Sequence, residues 1–175
     1  MSGQRGFTFI ELITVIALMG ILSVVALPRL IGSDSFGGEE VARQFIAGAR
    51  LAQQQAMAHT NGAVSLNVAR DGAGYDFAVT FDNAGAPQTL FSAQAKFAKV
   101  NVQVVAGGLN AALGVGQSLQ FSFTPRSDLS AVVLAGAPGS INGGVALTID
   151  GQQPSSQQAQ LCVAASGYAH RGTCL

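Results

Sequence analysis

Few residues in this chain have the type and spacing for chemistry, and most of them lie near its ends. Glu11 is the only charge in an otherwise apolar run from Phe7 to Leu27, FTFIELITVIALMGILSVVAL. A carboxylate in hydrocarbon costs about 2.5–3.5 kcal/mol on insertion scales and normally marks a partner. Directly upstream is a short polar leader, MSGQRG, with one positive charge at Arg5. A cut between Gly6 and Phe7 would create a new α-amino group four residues before Glu11. The amine of an incoming chain could then meet the Glu11 carboxylate of a neighbour. Pairing neutralises both charges in low-dielectric surroundings, where attraction is much stronger than in water. A mispaired subunit would leave both charges uncompensated, so the pair would act as a register device. The plainer reading of Glu11 is a side chain snorkelling to the membrane face.

At the other end, Cys162 and Cys174 are the only two cysteines. An even count close to the C-terminus favours one disulfide and an oxidising compartment, with two unpaired thiols as the alternative. The bond would close a loop of about 13 residues, worth roughly 3 kcal/mol by the chain-entropy argument, and tie the tail to the last strand. Metal ligation has little support: there is no CxxC pair, and no His set near the cysteines beyond His170. His170 and Arg171 together offer a small patch for DNA or another anion, but uptake binders need several cations, so nucleic acid is not expected as a partner. His59 reads as a solvated residue in the last turn of a helix. Lys96 and Lys99 read as lying along a solvent-facing strand. Asp71 and Asp76 flank a hairpin, and two carboxylates without a loop pattern argue only weakly for calcium. The chain contains no GxSxG, no GxxxxGK[ST] and no HExxH. No enzyme activity, cofactor or metal is expected.

Composition narrows the class further. The chain has 175 residues, with nine Lys/Arg balancing nine Asp/Glu, and only 10% of residues are charged. That excludes a broad basic surface for nucleic acid. An apolar fraction of 49% excludes a disordered polyelectrolyte. One domain with an appendage is expected.

The elements that must position these residues follow from periodicity. The 21-residue apolar run forms a helix about 31 Å long, enough for a hydrocarbon core of roughly 30 Å. Pro28 and Arg29 close it. Three export routes compete: a cleaved secretory signal with a cut near Val24-Val25-Ala26, a plain membrane anchor, and a signal cut before the apolar run. The first is disfavoured by the length of the run and by Glu11, and the second leaves Glu11 unexplained. Gly32 to Gly38 (GSDSFGG) interrupts the helical pattern. From Glu39 to about His59 it resumes, with Val41, Phe45, Ala49, Ala52 and Ala56 on one side and Arg43, Arg50 and Gln54 on the other. Glu39 and Glu40 suit the positive end of the helix dipole, and Asn61-Gly62 supplies the stop. The first 60 residues therefore read as one long helix, bent or melted near 32–38, whose second half packs a sheet while the first meets lipid or other stalks.

Beyond Gly62 the period becomes two. Val64, Leu66 and Val68 alternate with polar residues, Asp71-Gly72 reads as a two-residue hairpin turn, and Tyr75, Phe77 and Val79 alternate again. Further strands are expected at 97–105, 118–124, 131–135, 144–149 and 159–165, with a polar loop at 152–158 (QQPSSQQ). One leading helix followed only by strands predicts an α+β fold, the helix covering an antiparallel sheet.

The stretch Gly6-Phe7-Thr8-Phe9-Ile10-Glu11-Leu12 closely resembles the N-terminal motif of type IV pilins and type II secretion pseudopilins. That motif usually reads G-F-T-L-I-E-L, so Phe9 is the one departure. The resemblance implies removal of residues 1–6 by a prepilin peptidase, N-methylation of Phe7, and packing of the helix at 7–28 into a filament core through Glu11. It also implies a periplasmic pilin domain at 29–175 and a single-pass inner-membrane protein. The implied partners are other major and minor pilins or pseudopilins, an inner-membrane assembly platform and membrane lipid. A weaker similarity to the H-type minor pseudopilin and FimT-like minor pilin group runs through Pro28-Arg29-Leu30, Gln54-Gln55-Ala56-Met57 and Cys162-Val163…Gly167-Tyr168-Ala169-His170…Cys174. Within that group it points to minor pilins of mannose-sensitive haemagglutinin (MSHA) pili. It implies a role in filament initiation or at the tip, with an H-type pseudopilin of type II secretion or a DNA-binding uptake pilin as alternatives.

Overall fold

The computed structural model describes residues 8–30, 37–151 and 158–174, with side chains of the first segment described through Ser23. The chain divides into two units, Met1–Ser33 and Asp34–Leu175. In the first, helix α1 spans Phe9–Leu30. Large apolar side chains are exposed all round it, from Phe9 and Ile10 through Leu18 and Met19 to Leu22. A helix apolar on every face has no solvent side and must be buried by something else. Its hydroxyls are satisfied internally: Thr14 Oγ1 donates to the Glu11 carbonyl at 2.9 Å and Ser23 Oγ to the Met19 carbonyl at 2.8 Å. Among the described residues no helix is long and apolar enough to cross a membrane. The expected span continues past Ser23, beyond the described side chains.

In the second unit, α2 spans Gly37–Ala58. It begins two residues before the expected start, because Gly37 and Gly38 are helical and buried rather than part of a turn. A Cβ at Gly37 would lie 2.8 Å from the Phe97 ring, so glycine serves close packing here. The remainder of the expected interruption lies outside the described residues. The buried face of α2 carries Val41, Phe45, Ala49, Ala52 and Ala56, as the periodicity predicts, and Ala42 beside them. Phe45 meets Phe121 edge-on, with ring centroids 5.3 Å apart.

Among the described residues eleven strands follow: β1 (Ala63–Arg70), β2 (Tyr75–Asn83), β3 (Ala86–Ala95), β4 (Asn101–Ala106), β5 (Leu109–Ala112), β6 (Ser118–Phe123), β7 (Leu129–Leu134), β8 (Ala137–Gly139), β9 (Val145–Asp150), β10 (Ala159–Val163) and β11 (Ala169–Arg171). The α+β class with antiparallel pairing is as expected, but the strands form two sheets instead of one. Their orders are β3-β2-β1-β6-β7-β8 and β11-β10-β9-β4-β5. Helix α2 packs against both, meeting β1 and β2 of the first and β9, β10 and β11 of the second. Strand alternation is clean where one face is buried: Tyr75, Phe77, Val79 and Phe81 of β2 all point into the core.

Four strands, β3, β5, β8 and β11, were not expected. Two of them follow turns that sequence conceals. Ala84-Gly85 joins β2 to β3 and Ala135-Gly136 joins β7 to β8, with φ of +56° and +88°, and +50° and +84°. Two consecutive positive φ values give the type I′ hairpin, whose first position favours Asn or Asp and here holds Ala. In the first of these turns, Asp82 Oδ1 accepts the Gly85 amide at 2.8 Å. Conversely, Asp71-Gly72 is not a two-residue turn. The connection runs from Asp71 to Gly74, and Asp71 Oδ1 accepts the amides of Ala73 and Gly74, both at 2.7 Å.

Arg70 fastens the end of β1 to the second sheet's approaches. Its guanidinium donates to the carbonyls of Leu113 at 2.8 Å and Ala98 at 3.2 Å, and to Asn101 Oδ1 at 3.2 Å. It also lies over the Tyr75 ring at 5.5 Å. The Tyr75 hydroxyl in turn donates to the Val100 carbonyl at 2.7 Å, and burial pushes its pKa up.

Candidate functional site

The residues singled out at the N-terminus fall partly outside the structure: Gly6 and Phe7 precede the described residues. Thr8 and Glu11 are described. Thr8 stands just before the first helical residue, and its backbone amide and hydroxyl both face Glu11 Oε2, at 3.4 and 3.3 Å. A carboxylate at the third helical position reaching back to the preceding amide is one half of a capping box. Thr8-Phe9-Ile10-Glu11 carries this signature in the sequence itself. Glu11 therefore helps start α1, and both residues are exposed. The carboxylate is held at the very end of the apolar helix, with free lone pairs for a further donor.

At the C-terminus Cys162 and Cys174 are bonded to each other, with Cα atoms 5.1 Å apart. Cys162 is buried in β10. The bond pins the tail beyond β11, so that β11 stays paired with β10 through Leu161–Arg171, Cys162–His170 and Val163–Ala169.

His170 and Arg171 do not form one patch. Successive strand residues point to opposite faces. His170 borders the hollow beside the disulfide, together with Gly144, Ala164 and Cys174, and its ring stacks on Tyr168, with centroids 6.0 Å apart. Arg171 turns toward α2 and takes Glu39 in a two-pronged ion pair. Nη1 donates to Oε2 at 2.9 Å, and Nη2 pairs with Oε1. Arg43 Nε also reaches Glu39 Oε1, at 3.3 Å. The hydrogen bond from Arg171 is the main reason that the Glu39 carboxyl is held below its ordinary pKa, and Glu39 reciprocally raises that of Arg171.

The cations that accompany Arg171 come from the solvent side of α2. Arg43, Ile46, Ala47 and Arg50 line an open groove with Arg171, and the Arg50 guanidinium lies 5.7 Å from the centre of the Tyr168 ring. Periodicity placed Arg43 and Arg50 away from the core. Nothing in it joined them to a residue more than a hundred positions later.

The remaining candidates are placed differently from expectation. Lys96 and Lys99 sit in the connection between β3 and β4, not on a strand. His59 is half-buried rather than solvated. Its ring packs on Phe81 at 4.3 Å, and Nδ1 lies 3.0 Å from the Gln55 carbonyl at the end of α2. Asp71 spends its Oδ1 on two backbone amides, and Asp76 lines a shallow hollow beside it. Among the described residues no group of three or more His, Cys, Asp or Glu comes together that could hold a metal ion.

Residues 1–27 match the family model of the prokaryotic N-terminal methylation motif. No curated protein and no solved structure gives a significant match. The motif match supports a type IV pilin-like or pseudopilin subunit, and hence a structural role, processing by a prepilin peptidase and assembly with other pilins.

Proposed function

We propose that the chain is a minor pilin of a type IV pilus of the MSHA kind, acting when the filament is started or at its tip. The observation that carries the reading is the methylation motif at residues 1–27, with Glu11 held at the start of an apolar helix. On this reading residues 1–6 are a leader, Phe7 becomes the methylated N-terminus, and 7–28 anchors the chain in the inner membrane. Residues 29–175 then stand in the periplasm, a compartment in which a disulfide such as Cys162–Cys174 persists. The Phe7 amine of one subunit pairs with the Glu11 carboxylate of another. That pairing satisfies two charges that hydrocarbon would otherwise penalise. The apolar girdle of α1 is lipid-facing before assembly and packed against other subunits afterwards.

An H-type pseudopilin of type II secretion is the second reading, because the N-terminal motif serves both filament types equally. The first test is the intact mass and N-terminal sequence of the protein extracted from membranes. A chain that starts at Phe7 and is heavier by one methyl group is expected; a chain starting near Leu27 would overturn both readings. Deletion then separates them. Loss of surface pili supports the minor pilin, whereas exoproteins trapped in the periplasm with pili intact supports the pseudopilin.

A further inference from the structure

We infer that the groove between α2 and β11 receives an extended acidic segment of a neighbouring filament subunit, an inference that rests on the filament-subunit reading above. The groove has a volume of about 490 Å³ and is lined by Arg43, Ile46, Ala47, Arg50 and Arg171. Arg43 and Arg50 lie two helical turns apart on the solvent side of α2, about 10 Å along its axis. Between them Ile46 and Ala47 form an apolar floor. Arg171 enters from β11, opposite the helix. Arg171 and Arg43 share one carboxylate, Glu39, at one end of the groove, and Arg50 lies at the other end, against the Tyr168 ring. The positive charge left over is displaced toward Arg50.

The shape of that charge selects the occupant. A nucleic-acid backbone carries a phosphate at every step and needs a track of cations. Here Glu39 would stand against it and an apolar floor would interrupt it. Two discrete carboxylates bracketing apolar or small side chains fit better. An extended polyproline II segment rises about 3.1 Å per residue with three residues per turn, so acids three positions apart share one face and span about 9 Å, close to the 10 Å or so between Arg43 and Arg50. Guanidiniums hold carboxylates in two-pronged pairs, which fixes register as well as attraction. In this chain Arg171 already makes such a pair with Glu39, which shows that the groove wall can present that geometry.

The test is a photo-crosslinking amino acid placed at Ala47 in the full-length protein, expressed in cells that assemble the filament. Processing at Phe7 is read by mass in the same sample. The expected result is a crosslink to a segment of another pilin-type subunit with acids about three residues apart. Yield should fall about tenfold in Arg50→Glu or Arg43→Glu and recover when the facing acid is changed to Arg. Both arginines are exposed, so neither change touches the core. If the chain is processed but the crosslink goes to nucleic acid, to lipid or to an uncharged segment, or does not respond to charge reversal, the groove inference falls and the filament reading stands. If the chain is not processed at Phe7, both fall.

Discussion

Arg171, in the last strand, closes a two-pronged ion pair on Glu39, in the first turn of α2, 132 residues earlier in the chain. The pair ties the disulfide-bonded C-terminal segment to the start of the helix that carries the core. Both side chains remain partly in solvent, 51% and 35% exposed, so its contribution is that of a screened surface pair. Its value is more positional than energetic: it sets one wall of the arginine groove and places the helix start beside β11.

The pair makes a prediction about pH. Arg171 holds the folded-state pKa of Glu39 below the ordinary 4.5, so the unfolded chain takes up this proton more readily than the folded one. The stabilisation is complete above about pH 4.5 and is lost as pH falls through the lower folded value. Glu39→Gln should cost about 0.2–1 kcal/mol near neutrality. Urea unfolding at pH 7 and at pH 3 should show that difference shrink at the acid end. A difference unchanged at pH 3 would mean that Glu39 acts through packing rather than charge.

Replacing Cys162 and Cys174 together with Ser should lower stability by about 3 kcal/mol, the loop-closure value for a bond of this span. Cys162 is buried in β10, so the new hydroxyl adds a desolvation cost. Hydrogen exchange should show β11 opening first, because its pairing with β10 is only three residues long and the bond lies directly beyond it. Protection of β11 equal to that in the parent would assign its stability to the Glu39 pair alone.

Ala84 and Ala135 occupy left-handed backbone conformations, which cost an L-residue other than Gly, Asn or Asp about 1 kcal/mol. Ala84→Asn and Ala135→Asn should therefore each stabilise the protein by about 0.5–1 kcal/mol. The sites belong to separate hairpins, β2–β3 and β7–β8, so the gains should add in the double variant. Thermal denaturation of the two single variants and the double variant reads this directly. A lower Tm in either single variant would show that another turn type is preferred there.

Glu11 caps α1 and, on the filament-subunit proposal, pairs with an incoming amine, and substitution can separate the two. Glu11→Gln keeps an oxygen that can accept the Thr8 amide, and so keeps the helix cap, but it removes the charge available to an incoming amine. Membrane insertion and cleavage should persist in Glu11→Gln and in Glu11→Ala, and incorporation into filaments should fail in both. Quantifying the subunit in sheared filaments against membranes measures this. Normal incorporation of Glu11→Gln would show that hydrogen bonding, not charge neutralisation, is what assembly needs.

Local features of the chain were legible because their physics is local. The N-terminal motif is contiguous, so Gly6, Phe7 and Glu11 can be read without a fold, as can the apolar run behind them. The buried face of α2 follows from spacing alone, since one stripe of Val41, Phe45, Ala49, Ala52 and Ala56 has to meet a core. The disulfide needed only an even pair of cysteines near the C-terminus. Tertiary structure decided the rest. An edge strand such as β3 buries few side chains, so only the short stretch Phe91-Ser92-Ala93-Gln94-Ala95 alternates and its first half, APQTL, gives no pattern, and the Ala-Gly turn before it lacks the usual Asn or Asp. The division into two sheets depends on which strands pair, and every short antiparallel strand is locally alike. Glycine at 37 looks like a helix breaker until Phe97 is seen against it. Above all, the pairing of Glu39 with Arg171, and the groove it borders with Arg43 and Arg50, joins the first helix turn of the globular unit to its last strand. Spacing carries no information across that distance; only the closing of β11 onto β10 brings the two ends of the unit within reach of each other.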